Sequence, residues 1–149
     1  MALQKRFQVS HGDVFPMGAF MKGSVEPVSD FDVPVRPDGS RPQQVDKDSG
    51  LPLWQVTVLD ADDQASRRDT AVSVKIAAQF QPVPPDNTSG TPWRPVEFVG
   101  LTALAYVDDS GSRPRVAWSF RADNLVAPGE AKKAATTSAG SASSGPRAA

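Results

Sequence analysis

Cysteine is absent from this chain, and histidine and tyrosine occur once each, as His11 and Tyr106. Without cysteine there are no disulfides, no thiolate zinc sites and no thiol chemistry, which fits a reducing compartment and leads us to expect a cytoplasmic protein. A Ser-His-Asp site or a His-rich metal site would have to rest on His11 alone. No apolar run approaches the roughly 20 residues needed to span a bilayer, so no membrane partner is expected. The segment MALQKRFQVSHGDVF carries two positive charges but no apolar stretch, and it does not read as a secretory signal. The chain also lacks a Gly-x-Ser-x-Gly elbow, a phosphate-binding Gly-rich loop and a His-Glu-x-x-His pair. The expectation is a protein that is not an enzyme, with no catalytic residues and no cofactor.

What is present is β-forming residues separated by turns. At 149 residues and 39% hydrophobic, the chain has material for one domain of ordinary size. Its clearest stretch is DKDSGLPLWQVTVLDAD, residues 46–62, in which a polar turn feeds an alternating run. Trp54, Val56 and Val58 point one way, and Leu53, Gln55, Thr57 and Leu59 the other. Four further runs alternate in the same manner. Met17–Val28 carries Gly18 and Gly23, which suggest a bulge or bend. Thr70–Ala78 turns Val72, Val74 and Ile76 inward. Val96–Val107 is long and holds Gly100, where a barrel strand commonly bends. Arg113–Ala122 follows the turn Asp108-Asp109-Ser110-Gly111 and places Val116, Trp118 and Phe120 on one face.

Between these runs lie two proline-rich loops, Ser29–Gln43 and the stretch QPVPPDNTSGTPWRP, where missing backbone donors forbid central sheet. No convincing amphipathic helix appears. Asp62–Asp69 reads as a short helix or a loop, and His11 falls in an irregular segment. The predicted fold is all-β, a five-stranded OB-like barrel with long Pro-rich loops, because closure removes exposed strand edges. An SH3-like barrel or a small sandwich is the alternative. The domain is assigned to residues 1–126. Residues 127–149, rich in Ala, Ser and Gly, lack the apolar surface to offset ordering entropy and are expected to form a disordered tail.

A net charge of −1 divides unevenly along the chain. Residues 1–126 hold thirteen Lys/Arg against sixteen Asp/Glu, so the barrel region is mildly acidic, which speaks against generic nucleic-acid binding. The carboxylate cluster at Asp46–Gly50 fails as a calcium loop. Its glycine falls at the fifth position instead of the sixth, and Thr57 stands where the loop's Glu belongs. Turn-forming Asp accounts for it, and no metal is expected.

Binding is then the chemistry to weigh. Single-strand binders line a basic groove with aromatic side chains on which bases stack. The candidate contact residues for single-stranded DNA are Lys22, Lys47, Trp54, Lys75, Trp93, Arg94, Arg113, Arg115 and Arg121. Phe20, Phe80 and Tyr106 are further aromatics able to stack, and Arg67 and Arg68 are further loop cations. Phe98, Trp118 and Phe120 are assigned to the core. Trp93, between Pro92 and Arg94 in a proline-rich loop, is expected at the surface, and a continuous positive groove beside it would carry the DNA reading. The competing reading is a protein-interaction module without direct DNA contact, motivated by the acidic barrel region and the proline-rich loops. Either is compatible with a homo-oligomer.

The strings VFPMGAFMKGSVEPVSDFD, QQVDKDSGLPLWQVTVLDAD, VSVKIAAQFQPVPP and PWRPVEFVGLTALAYVDDSGSRPRVAWSFRA resemble the plasmid replication, integration and excision activators of actinobacterial mobile elements, over about residues 8–122. The resemblance implies a role in replication and excision of an integrated element, with replication or excision proteins as possible partners. It supplies no catalytic or DNA-contact residue. The order Val74-Lys75-Ile76, Gly90, Val96–Val107, Gly111 and Arg113–Ala122 is also similar in layout to the OB-fold single-stranded-DNA-binding proteins of filamentous phage. That similarity implies an OB fold and a dimer that coats single strands.

Overall fold

Alternation of apolar and polar side chains builds a protein that is mostly strand. A computed structural model describes residues 5–131. The strands are β1 (Arg6–Gln8), β2 (Ala19–Pro27), β3 (Leu53–Asp60), β4 (Ala71–Ala77), β5 (Arg94–Val99), β6 (Thr102–Asp108), β7 (Arg115–Ala122) and β8 (Asn124–Val126), with one short helix, α1 (His11–Val14). They form a single curled sheet in the order β1-β6-β7-β4-β3-β2-β5-β8. All neighbours are antiparallel except β4 and β7, which run parallel through Val74–Phe120, Lys75–Arg121 and Ile76–Ala122.

The all-β class is as expected, but there are eight strands where five were predicted. Two of the additions are the short strands β1 and β8. The third comes from a break in the expected run Val96–Val107. Gly100 sits at φ +65°, which interrupts the run into β5 and β6. Glycine suits that positive φ, and the Asp123 carboxylate lies in the space a Cβ at position 100 would take, so a larger residue would also have to displace it. Opposite this kink β7 gives way to β8, yet both strand pairs keep one register, from Glu97–Val126 through Thr102–Arg121 to Asp108–Arg115.

Strands β2, β3 and β4 form the meander foreseen from their alternation. Gly23, at φ +78°, marks a register shift between Lys22 and Glu26 of β2, as a bulge glycine should. The segment ahead of β3 pairs with its start through a bridge from Val45 to Pro52. Residues 62–69 form turns, not a helix. His11, assigned above to an irregular segment, instead opens α1. Ser10 caps that turn, its hydroxyl accepting from Asp13 N while the Asp13 carboxylate accepts from Ser10 N.

The inward residues of the curled sheet make one core: Met21, Val25, Val56, Val58, Val74, Ile76, Val96, Phe98, Leu101, Ala122 and Leu125, closed at one end by Phe15. Each buried aliphatic or aromatic side chain contributes about 1.5–3 kcal/mol. Trp54 packs on this core, and its indole N–H donates to Ala78 O at 2.9 Å. Phe98 is buried and Phe120 partly so, as assigned. Trp118 is not in the core: it is 55% exposed, and Val116 beside it on the same face is 66% exposed. Both precede Phe120, the first residue of β7 to pair with β4. Residues 127–131 follow β8 closely, with Gly129 N and Ala131 N donating to Glu97. The remainder of the expected tail, 132–149, lies outside the described residues. Among the described residues no helix is long and apolar enough to cross a membrane.

Candidate nucleic-acid interface

A parallel pair three residues long leaves β4 and β7 splayed on one side. The gap is an open groove of about 760 Å³. One wall is the 60–70 turn region and the start of β4, contributing Asp60, Arg68, Asp69, Ser73 and Lys75. The other is the β6–β7 hairpin, contributing Tyr106, Arg115, Trp118 and Phe120, with Val14 and Phe15 also lining it. Trp118 and Tyr106 are each about half exposed, at 55% and 48%, which leaves their rings open to a stacking partner.

Electrostatically the groove is mixed. Arg68, Lys75 and Arg115 face Asp60 and Asp69, an excess of one positive charge. Lys75 and Arg68 have no ion-pair partner among the described residues, while Arg115 pairs with Asp108 at 3.4 Å. Both groove carboxylates are partly occupied: Asp60 accepts from Asp62 N and Asp69 from the Ser66 hydroxyl. The arrangement suits a planar, amphipathic ligand with some negative charge. It contains no paired acid and base holding a nucleophile.

The structure gathers some of the predicted contact residues and scatters others. Lys75 and Arg115 line the groove. Arg113 stands exposed at the hairpin tip, Lys22 is exposed on β2 and Lys47 is exposed on the turn before β3. Trp54 is half-buried against the core with its N–H spent on Ala78 O, and it does not line the groove. Trp93 is at the surface, as expected, and is not among the residues lining the β4–β7 groove. Arg94 is no free loop cation: it begins β5 and donates to Pro85 O at 2.7 Å, pinning the proline-rich loop.

Arg121 is also engaged. Its guanidinium pairs with Asp46 through Nη1 and with Asp48 through Nη2 at 3.3 Å. Burial opposes ionisation of Asp46, but hydrogen bonds from Ser49 and the Arg121 charge outweigh it, and the carboxyl titrates below its ordinary value. Arg6, from β1, reaches the same cluster. Its Nη1 donates to Thr102 Oγ1 at 3.3 Å and to Ser119 O at 3.4 Å.

Two groove residues escaped the sequence reading as contacts: Arg68, set aside as one of several loop cations, and Trp118, taken for core. His11 is held by aromatic packing and one backbone hydrogen bond. Its ring packs between Phe15 and Phe98, and its Nδ1 accepts from Phe98 N at 3.1 Å. Burial holds its pKa below the ordinary range, against a smaller opposing pull from Glu97. Among the described residues no cluster of three or more potential metal ligands occurs. No family model, curated protein or solved structure matches the chain.

Proposed function

We propose that this chain is a non-enzymatic, OB-like protein that binds single-stranded DNA in the β4–β7 groove, as an accessory to replication or excision of a plasmid or integrative element. The observation that carries the reading is the open groove itself, lined by Tyr106, Lys75 and Arg115 from the outer face of the sheet, by Trp118 from the opposite face of the hairpin, and by Arg68. Stacking on aromatic faces is tolerant of sequence and contributes about 1–3 kcal/mol per base, while the cations meet phosphates.

The strand connections support the OB-like part. If the kinked pairs β5–β6 and β7–β8 are counted as two long strands, the ladder runs β2–β3–β4–(β7–β8)–(β5–β6) and returns to β2 through Ala19–Val96. That is a ring of five with a single parallel contact. In OB folds the face of the second and third strands and two flanking loops take up oligonucleotides. The corresponding face here carries Thr57, Ser73 and Lys75, and the loops carry Lys47 and Arg113. The role in a mobile element rests on the sequence resemblance.

Titration of a fluorescent oligothymidylate at two salt concentrations tests the reading. The three groove cations by themselves give a log–log salt slope of about −2, at about −0.7 per phosphate, and tryptophan emission should be quenched on binding. Absence of binding at low salt would overturn it.

A second reading, a module that contacts replication or excision proteins, is favoured by one observation. Phe31, Val33, Val35, Phe80 and Val83 stand exposed on the two proline-rich loops. A partner that survives nuclease treatment in a pull-down, with no DNA binding, would select it. In either reading the hairpin supports self-association, since among the described residues β6 beyond Leu104 and β7 before Phe120 have no paired neighbour on their outer edges. Sedimentation equilibrium should then give more than one copy.

A further inference from the structure

Arg121 is held by two unequal arms. The Asp46 side chain is 7% exposed and is fixed by the Ser49 hydroxyl and backbone N–H. The Asp48 side chain is 80% exposed, and its contact with Arg121 Nη2 is the looser one at 3.3 Å. One arm is built into the fold, and the other can swing into water at little cost, as exposed ion pairs do. The guanidinium is therefore aimed by Asp46 and only lightly covered by Asp48.

Around it the sheet lays out further cations. Lys75 is the register partner of Arg121 across the parallel pair, so the two side chains leave the same outer face. Arg6 stands opposite Leu104 on β1 and reaches Ser119 O. Leu104, Ser119 and Lys75 also line the groove, so this row continues its rim. A planar guanidinium that already binds two carboxylates through separate nitrogens presents the fork that also fits phosphate oxygens.

We propose that Arg6, Arg121 and Lys75 form a phosphate-binding extension of the groove, and that Asp48 is its built-in competitor, displaced when a DNA phosphate takes its place on Arg121 Nη2. The proposal rests on the single-strand reading. It differs from a plain structural tether in what removing Asp48 does. A tether loses stability, whereas a competitor, once removed, gives tighter binding.

The experiment compares Asp48→Asn with Asp86→Asn, an equal charge change on the exposed 78–93 loop, by titration with the same labelled oligothymidylate. Asp48→Asn should bind about two- to fivefold more tightly than Asp86→Asn. The excess should vanish when Arg121→Gln is added. Because Arg121→Gln orphans Asp46, each variant is checked by circular dichroism, and Arg6→Gln gives an independent arm. It should weaken binding and flatten the salt slope by about 0.7. Equal affinities for Asp48→Asn and Asp86→Asn, or an Arg6→Gln variant with unchanged slope, would overturn the extension while leaving the groove in place. No binding by the unaltered protein at low salt would overturn both.

Discussion

The two halves of the β6–β7 hairpin have the same alternation and opposite fates. Near the kink, Leu101, Ala103 and Ala122 are buried, and Phe120 packs on the core. Toward the tip, Val107, Val116 and Trp118 on the continuing rows are half to two-thirds exposed. Residue type and period do not differ between them. The difference is the neighbour: β4 reaches β7 only at Val74–Ile76, so the tip half has the hairpin's inner face without the opposing wall. A period of two assigns a face, and how far the adjacent strand stays paired decides whether that face is core or exposed surface.

Substitutions in each half should break or sharpen this contrast. Leu101→Ala, at the kink, is expected to cost about 2–4 kcal/mol of unfolding free energy, read from denaturant midpoints, because it empties a packed core site. Asp46→Asn should cost about 1–3 kcal/mol by leaving the buried side of the Arg121 guanidinium without its charged acceptor. It should also change the acid limb. Asp46 is depressed in the fold from an ordinary value near 3.8, so its contribution is complete above that pH and is lost as pH falls through the lower folded value. The variant should therefore lose stability less steeply than the parent in that acid range.

Trp118→Ala, in the tip half, should change stability by under about 1 kcal/mol while weakening oligothymidylate binding by about 1–3 kcal/mol. A stability loss as large as that of Leu101→Ala would show that the tip is core after all. His11 sharpens the contrast from the inner end. The unfolded chain takes up a proton near 6.5, whereas the folded ring resists it, so stability should decline as pH falls below that value toward the lower folded pKa. His11→Asn should flatten that slope in thermal melts recorded between about pH 5 and pH 7. Val107→Ala should be the smallest change, within about 0.5 kcal/mol.

The meander was the legible part. In β2, β3 and β4 alternation is long, both flanks carry turn residues, and each strand finds a neighbour along most of its length. The predicted runs agree with the observed strands to within about two residues at each end. The pieces missed were too short for periodicity to register. β1 and β8 have three residues each, and α1 has four. For α1 a signal did exist in Ser10-x-x-Asp13, a capping pattern with Asp in the place of Glu.

The candidate contact residues were legible as types and not as a set. Lys75 and Arg115 come together because a parallel pair joins strands distant in sequence, and no local pattern announces that pairing. Arg94 and Arg121 show the converse. Each looked like a free cation, and each is committed, one to a backbone carbonyl and the other to two carboxylates. Lys47 and Arg113 lie on loops whose placement depends on the strands they join.

The parallel seam between β4 and β7 also sets the order in which this chain can assemble. The β2–β4 meander and the β5–β8 hairpin each close through contacts between strands that follow one another, whereas Val74 meets Phe120 only after the 78–93 loop has been brought round. Closing such a loop carries its entropic cost before the contact repays it. The seam thus forms late, as do the β2–β5 and β1–β6 joins, and each of the three rests on only three residue pairs. Amide exchange should be fastest at these joins among the core strands, so the groove is a place where the fold breathes.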